Sequence, residues 1–175
     1  MKVAVKDANV FIDLESMGLL DLWFQLGIET LTSSFVVMEL EEGGHQNALA
    51  CIRAGQAREA IISGEEMAGR FMDFLDEFTL TGLSDADLSV IYLAIREEAM
   101  VLSGDRLLRN TAEARHIEVH GTLWIMDELV KASILKPAVA ADRLEALMQR
   151  TGSERRYLPV KDCLERIQHW RRTRA

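Results

Sequence analysis

The sequence predicts an α/β fold: a central, mostly parallel sheet covered by helices on both faces, followed by a helical C-terminal extension. Three observations carry this expectation. Short β-branched runs alternate with segments of helical apolar spacing, the run AMVLSGD reads as a buried strand, and beyond Pro137 only helical patterns remain. The expected division is residues 1–135 as one compact domain and 136–175 as a helical extension with a basic tail.

The opening KVAVKD suits a short strand and NVFIDLESMG a helix, so Asp7 lies where a strand hands over to a helix. LLDLWFQLG continues as a second apolar helix. IETLTSS reads as another strand, with Ser33 or Ser34 placed to cap FVVMELEE, the helix that carries Glu39 and runs into Gly43 and Gly44. Residues 46–79 read as mainly helical, with Gly55, Gly64 and Gly69 as interruptions, and show no chemistry. LSDADLSVIYLAIREEA has the look of a capped helix, Ser84 leading and Asp85 and Asp87 in its first turn. AMVLSGD follows as a strand ending at Asp105. Helix RLLRNTAEARH, strand IEVHG and helix TLWIMDELVKA complete the alternation, with Thr122 expected as a capping hydroxyl. AVAADRLEALMQR and VKDCLERIQHWRRTR, the second after Thr151, Gly152 and Ser153, form the extension.

A chain of 175 residues can bury a core without staples, and 27% charged against 49% hydrophobic residues argues for a folded domain. No apolar run approaches the roughly 20 residues that span a bilayer, and MKVAVKDANV lacks the order of a secretory signal, so a cytoplasmic protein without a membrane partner is expected. Cys51 and Cys163 belong to no CxxC pair, and the four histidines show no metal-ligand spacing. The net charge of −8 would count against a nucleic-acid partner, but its distribution matters more. Residues 150–175 hold eight basic and three acidic side chains, a net of +5, which leaves −13 on the remainder. Such a tail can meet a phosphate backbone or an acidic partner, or simply be a soluble end.

Chemistry concentrates in four acids. Asp7 and Asp105 occupy the C-terminal ends of strands, where open α/β sheets collect their ligands, and Glu39 and Asp87 lie on helices that the fold can bring to the same rim. Hard carboxylate oxygens select Mg²⁺ or Mn²⁺ over zinc, and such ions activate water and stabilise charge on a phosphodiester. Each acid also has a plainer reading: Asp87, or Asp85 equally, as a first-turn helix acid, and Glu39 as one of several solvated acids beside Glu41 and Glu42. Asp7 is the hardest to read that way, since a charge beside an apolar strand needs a partner. Asn9 either supports the site or caps the first helix. Arg109 is placed to pair with Asp105 or to meet a phosphate. Trp23, Trp124 and Trp170 are either core residues or base-stacking surfaces.

Taken in order, VAVKDANVFIDL, FVVMELEE, LSDADLSVIYLA and VLSGDRLLR resemble the acidic motifs of PIN-domain proteins, over residues 2 to about 135. The run from Arg109 and Ala112 through IEVHGTLWIMDELVKASIL is most similar to a bacterial and archaeal branch related to VapC-type toxins. The resemblance implies a PIN-like α/β/α sandwich and a Mg²⁺- or Mn²⁺-dependent ribonuclease acting on RNA. It matches Asp7, Glu39, Asp87 and Asp105 to the family's four acids and Ser103 to its small hydroxyl residue. It also implies a possible antitoxin partner and a homodimer. Two readings from other classes stand beside it: a catalytically silent PIN-like binding or scaffold module, and a phosphate-handling α/β protein of another kind. The second lacks a GxxxxGK[ST] phosphate loop.

Overall fold

The computed structural model describes residues 3–78, 81–150 and 158–173. Five parallel strands form one sheet in the order β3-β2-β1-β4-β5: β1 (Val3–Lys6), β2 (Glu29–Ser33), β3 (Arg58–Ala60), β4 (Met100–Leu102) and β5 (Val119–His120). Parallel pairing demands crossovers, which the intervening helices supply. These are α1 (Ala8–Met17), α2 (Leu20–Phe24), α3 (Ser34–Glu42), α4 (Gln46–Arg53), α5 (Glu65–Asp76), α6 (Asp85–Arg96), α7 (Arg106–Ala114), α8 (Thr122–Lys131), α9 (Pro137–Met148) and α10 (Val160–Arg172). Helices flank the sheet in an α/β/α arrangement, as the sequence predicts.

The central position of β1 follows from its composition. Ala4, Val5, Lys6 and Asp7 are all buried, as expected for a strand covered on both faces. In register, Val5 lies beside Leu31 of β2 and Val101 of β4. Because the strands are parallel, β1, β2 and β4 end on one side of the sheet, at Asp7, Ser33 and Ser103. Ser33 caps α3, its Oγ accepting the Val36 N–H at 3.1 Å, and Ser89 of α6 donates to the same oxygen at 2.6 Å. The hydroxyl that starts one helix thereby also ties α6 to the sheet.

The segment 46–78 is mainly helical, as expected, in α4 and α5, but it also holds a strand that the sequence reading missed: Arg58–Ala60 pairs with β2 as an edge strand, its exposed Arg58 and Glu59 hiding the strand signal in the sequence. Two other expectations need correction. Gly69 lies inside α5 and interrupts nothing, whereas Gly64 precedes that helix at φ 86°, which favours glycine. Thr122 does not cap α8. Gly121 holds the cap position, and the Thr122 hydroxyl instead donates to Asp13 at 2.6 Å.

The extension is bound to the rest through its apolar faces. Ala140, Ala141, Leu144 and Leu147 of α9 and Cys163, Ile167 and Trp170 of α10 belong to the same hydrophobic core as the sheet. Arg166 of α10 also reaches Asp127 of α8, Nε to Oδ2 at 2.8 Å. The break expected at Thr151, Gly152 and Ser153, and the tail residues Glu154, Arg155, Arg156 and Arg174, lie outside the described residues. Among the described residues no helix is long and apolar enough to cross a membrane.

Candidate active site

Asp7 is the hinge between β1 and α1. Its N–H donates to the Leu102 carbonyl at 3.0 Å, adding one more link between β1 and β4. Its extended backbone and its side chain make it the N-cap of α1, Oδ1 accepting the Ala8 N–H at 2.7 Å. Oδ2 accepts from the Ser103 hydroxyl at 2.7 Å and from the Asn9 amide at 2.5 Å. Ser103, buried at the end of β4, takes the Asp105 N–H on the same oxygen at 3.0 Å. Asn9 accepts the Gly104 N–H at 2.9 Å. Asn9 thus bonds to Asp7 and to Gly104, and Asp7, not Asn9, caps the helix. One hydrogen-bonded net stitches the ends of the two central strands around a carboxylate that is only 4% exposed.

That burial has an electrostatic consequence. The Asp7 carboxyl is pushed up to about 7 from an ordinary 3.8, chiefly by desolvation and then by the nearby negative charges of Asp87 and Glu39, while the bonds from Ser103 and Ala8 pull it down. Glu39 stands exposed on α3. Its pKa is also raised, by partial desolvation first and then by Asp87 and Glu42. Asp7, Glu39 and Asp87 thus feel one another across the strand ends.

Asp87 carries the plainer role as well. It forms a capping box with Ser84, Oδ2 accepting the Ser84 N–H at 2.9 Å and hydroxyl at 2.8 Å while the Asp87 N–H donates back to Ser84 Oγ. Asp85, beside it in the first turn, is exposed and takes no part in raising Asp7. Asp105 caps α7 through Oδ1 and the Leu108 N–H at 2.8 Å, and its connection to Asp7 runs through Ser103. Arg109 does not pair with Asp105. Its guanidinium donates to the Ser103 carbonyl at 3.1 Å and faces Glu113 at 3.7 Å. A Cβ at position 121 would stand 3.3 Å from Arg109 Nη1, so Gly121 gives that side chain room.

The donor set suits a hard divalent cation. Carboxylate, hydroxyl and amide oxygens dominate, and the negative charge that adds to burial in raising Asp7 and Glu39 is what a cation would neutralise. Among the described residues no three acidic, histidine or cysteine side chains form a ready ligand shell, so an ion would have to draw the carboxylates together.

Sequence reasoning passed over Asp13. It lies on α1, 2% exposed, accepting the Thr122 hydroxyl. A buried acid six residues after Asp7 in an otherwise apolar stretch was the available signal. Of the tryptophans, Trp23 and Trp170 are core residues, and Trp23 donates to Thr30 Oγ1 at 2.8 Å. Trp124 is only partly buried and stacks on His120.

In fold the chain is similar to a PilT N-terminus domain protein, SSO1118, from the archaeon Sulfolobus solfataricus P2. That similarity has a TM-score of 0.51 at 13% identity, over 74% of this chain and 94% of that one. It is also similar to PAE2754 from Pyrobaculum aerophilum, with a TM-score of 0.53 at 14% identity over 77% and 91% of the two chains. At such identities the likeness shows the fold alone. No curated protein matches the chain in sequence. The family described as DUF3368, a PIN domain, matches residues 3–170. With that model matching nearly the whole chain, and a parallel sheet flanked by helices beneath it, the chain belongs to this family of PIN domains.

Proposed function

We propose that the protein is a metal-dependent endoribonuclease that hydrolyses phosphodiester bonds in RNA. The observation that carries this reading is the buried Asp7 carboxyl, fixed by Ser103, Asn9 and the start of α1, its pKa raised to about 7 chiefly by burial and then by Asp87 and Glu39. A carboxylate so placed costs stability, and such perturbed groups cluster at functional sites.

Asp7, Glu39, Asp87 and Asp105 are the residues that would hold Mg²⁺ or Mn²⁺. When bound, such an ion supplies positive charge to the scissile phosphate and lowers the pKa of an attacking water. Ser103 and Asn9 fix the rotamer of Asp7 by bonding the same oxygen, as partners behind a metal ligand do. The Ser84 capping box fixes Asp87 in the same way. Arg109, anchored on the Ser103 carbonyl, is a cation near the acids that can face a phosphate. The toxin of a toxin–antitoxin pair is the setting we propose for such an enzyme, on the family resemblance alone; growth arrest on expression, relieved by Asp7→Asn, would check it.

Incubation of the full chain with single-stranded RNA and Mn²⁺ or Mg²⁺ tests the chemistry. Cleavage is expected with metal, lost with EDTA and in folded Asp87→Asn, and retained in Asp85→Asn. Absence of metal-dependent cleavage would favour a silent module, and retention in Asp87→Asn with loss in Asp85→Asn would reassign the acid on α6.

A further inference from the structure

A cavity of about 480 Å³ adjoins the acidic site, sharing Asn9 and Asp105 with it. Its walls also include Arg109 on α7, His120 and Trp124 where β5 leads into α8, and Arg166 on α10. The size falls within the roughly 300–1,000 Å³ of small-molecule pockets.

The lining has a consistent chemistry. The imidazole of His120 and the indole of Trp124 lie nearly parallel, 11° apart with centroids at 4.0 Å, and form a flat aromatic platform. Two guanidiniums accompany it, each oriented by an anchor. Arg109 is held by the Ser103 carbonyl, and Arg166 by Asp127 through Nε and by the Asp162 carbonyl through Nη1 at 3.3 Å. A guanidinium has five N–H donors, so an anchored arginine keeps donors for an anion. Exposed Asp162 also lines the cavity and can accept from the exocyclic amino group of a base, whereas Asp13, which lines it too, is buried and accepts the Thr122 hydroxyl.

We propose that this cavity is a nucleotide subsite, in which the base of a single-stranded RNA nucleotide extends the Trp124–His120 stack and its phosphate meets Arg109 and Arg166. Its place beside Asp105 puts that nucleotide next to the bond to be cut, a placement that rests on the nuclease reading. Aromatic platforms combined with arginines are how single-stranded nucleic acid is held, since every base offers a π face. Trp23 and Trp170, both buried, are closed to such use.

The full chain in EDTA would be titrated with adenosine monophosphate and with a non-cleavable 2′-O-methyl tetranucleotide, followed by calorimetry. Saturable binding is expected, weakened about tenfold or more in Trp124→Ala and in Arg166→Ala, and largely restored in Trp124→Phe. Because Arg166 also ties α10 to Asp127, its variant is scored only if its melting temperature matches the wild type; Trp124→Phe against Trp124→Ala is the comparison free of that concern. No saturable binding, or equal binding by wild type and Trp124→Ala, would overturn the subsite. The two readings can fail separately. Trp124-dependent binding without cleavage under any divalent metal supports the subsite and sinks the nuclease, whereas cleavage with an unchanged KM in Trp124→Ala does the reverse.

Discussion

Replacing Asp7 by asparagine should make the metal-free protein more stable at neutral pH while abolishing its cleavage of RNA. The carboxyl is lifted from 3.8 to about 7, chiefly by burial. That gap corresponds to roughly 4 kcal/mol of preference for the proton in the folded state over the unfolded chain. A raised carboxyl pKa means that the folded form binds the proton more tightly. Its contribution is therefore intact below about 4, declines as pH rises from about 4 to about 7, and stays reduced above that range. Asparagine does not ionise, so the variant escapes this decline. Its amide still accepts the Ala8 N–H but meets the donors Asn9 and Ser103 less well, which returns part of the gain. The net expectation is about 1–3 kcal/mol of added stability at pH near 8, shrinking toward zero at pH near 4.5. Urea unfolding in EDTA at the two pH values measures the difference. A variant less stable than wild type at the higher pH, or an advantage that does not change with pH, would refute the electrostatic account of Asp7.

Two further substitutions probe neighbouring residues. Lys6 is fully buried, its amine without a hydrogen-bond partner among the described residues and 4.4 to 5.4 Å from the rings of Trp23, Phe11 and Phe24. Burial drives its pKa well below 10.5, so its cost is present at neutral pH and fades as pH climbs toward 10.5. Lys6→Met should therefore stabilise by about 1–3 kcal/mol at neutral pH, with the margin over wild type narrowing in alkaline urea titrations; a destabilised variant would mean that the aromatic contacts outweigh desolvation. Asp105→Ser keeps an oxygen to cap α7, so stability should stay within about 0.5 kcal/mol, while Asp105→Ala loses about 1 kcal/mol. If Asp105 is a ligand, the serine variant should lose about 100-fold or more in cleavage, beyond the 10–100-fold usual for outer partners, and undiminished cleavage would leave it a capping residue.

Much of this architecture was legible because local rules and the global fold agree. Ser33 and Ser84 announced the starts of α3 and α6, and the strand-to-helix handover at Asp7 placed that acid where parallel sheets expose their ends. What stayed hidden depends on distances between segments. Arg58–Ala60 pairs at an edge, where charged side chains are tolerated, so it carries no apolar pattern. Thr122 looked like a cap because capping hydroxyls precede helices, yet buried Asp13, 109 residues away in sequence, claims its proton. Nor could motif order tell that Asp105 spends one oxygen on α7, or that Arg109 turns to Ser103 instead of Asp105.

The position of α10 has an evolutionary consequence. The acids stand at the start of α1, on α3 and α6, and at the start of α7, while one wall of the neighbouring cavity comes from a helix more than fifty residues beyond Asp105 in the chain. Cys163, Ile167 and Trp170 anchor that helix from within, and Arg171 clasps Glu145 of α9 at 2.7 Å. Apart from these anchors and Arg166, which ties the helix to Asp127, most residues of α10 face outward, away from the core and the carboxylates. On the proposed reading, a lineage of such proteins can reshape that wall of the cavity by rewriting α10 while the residues around Asp7 stay unchanged.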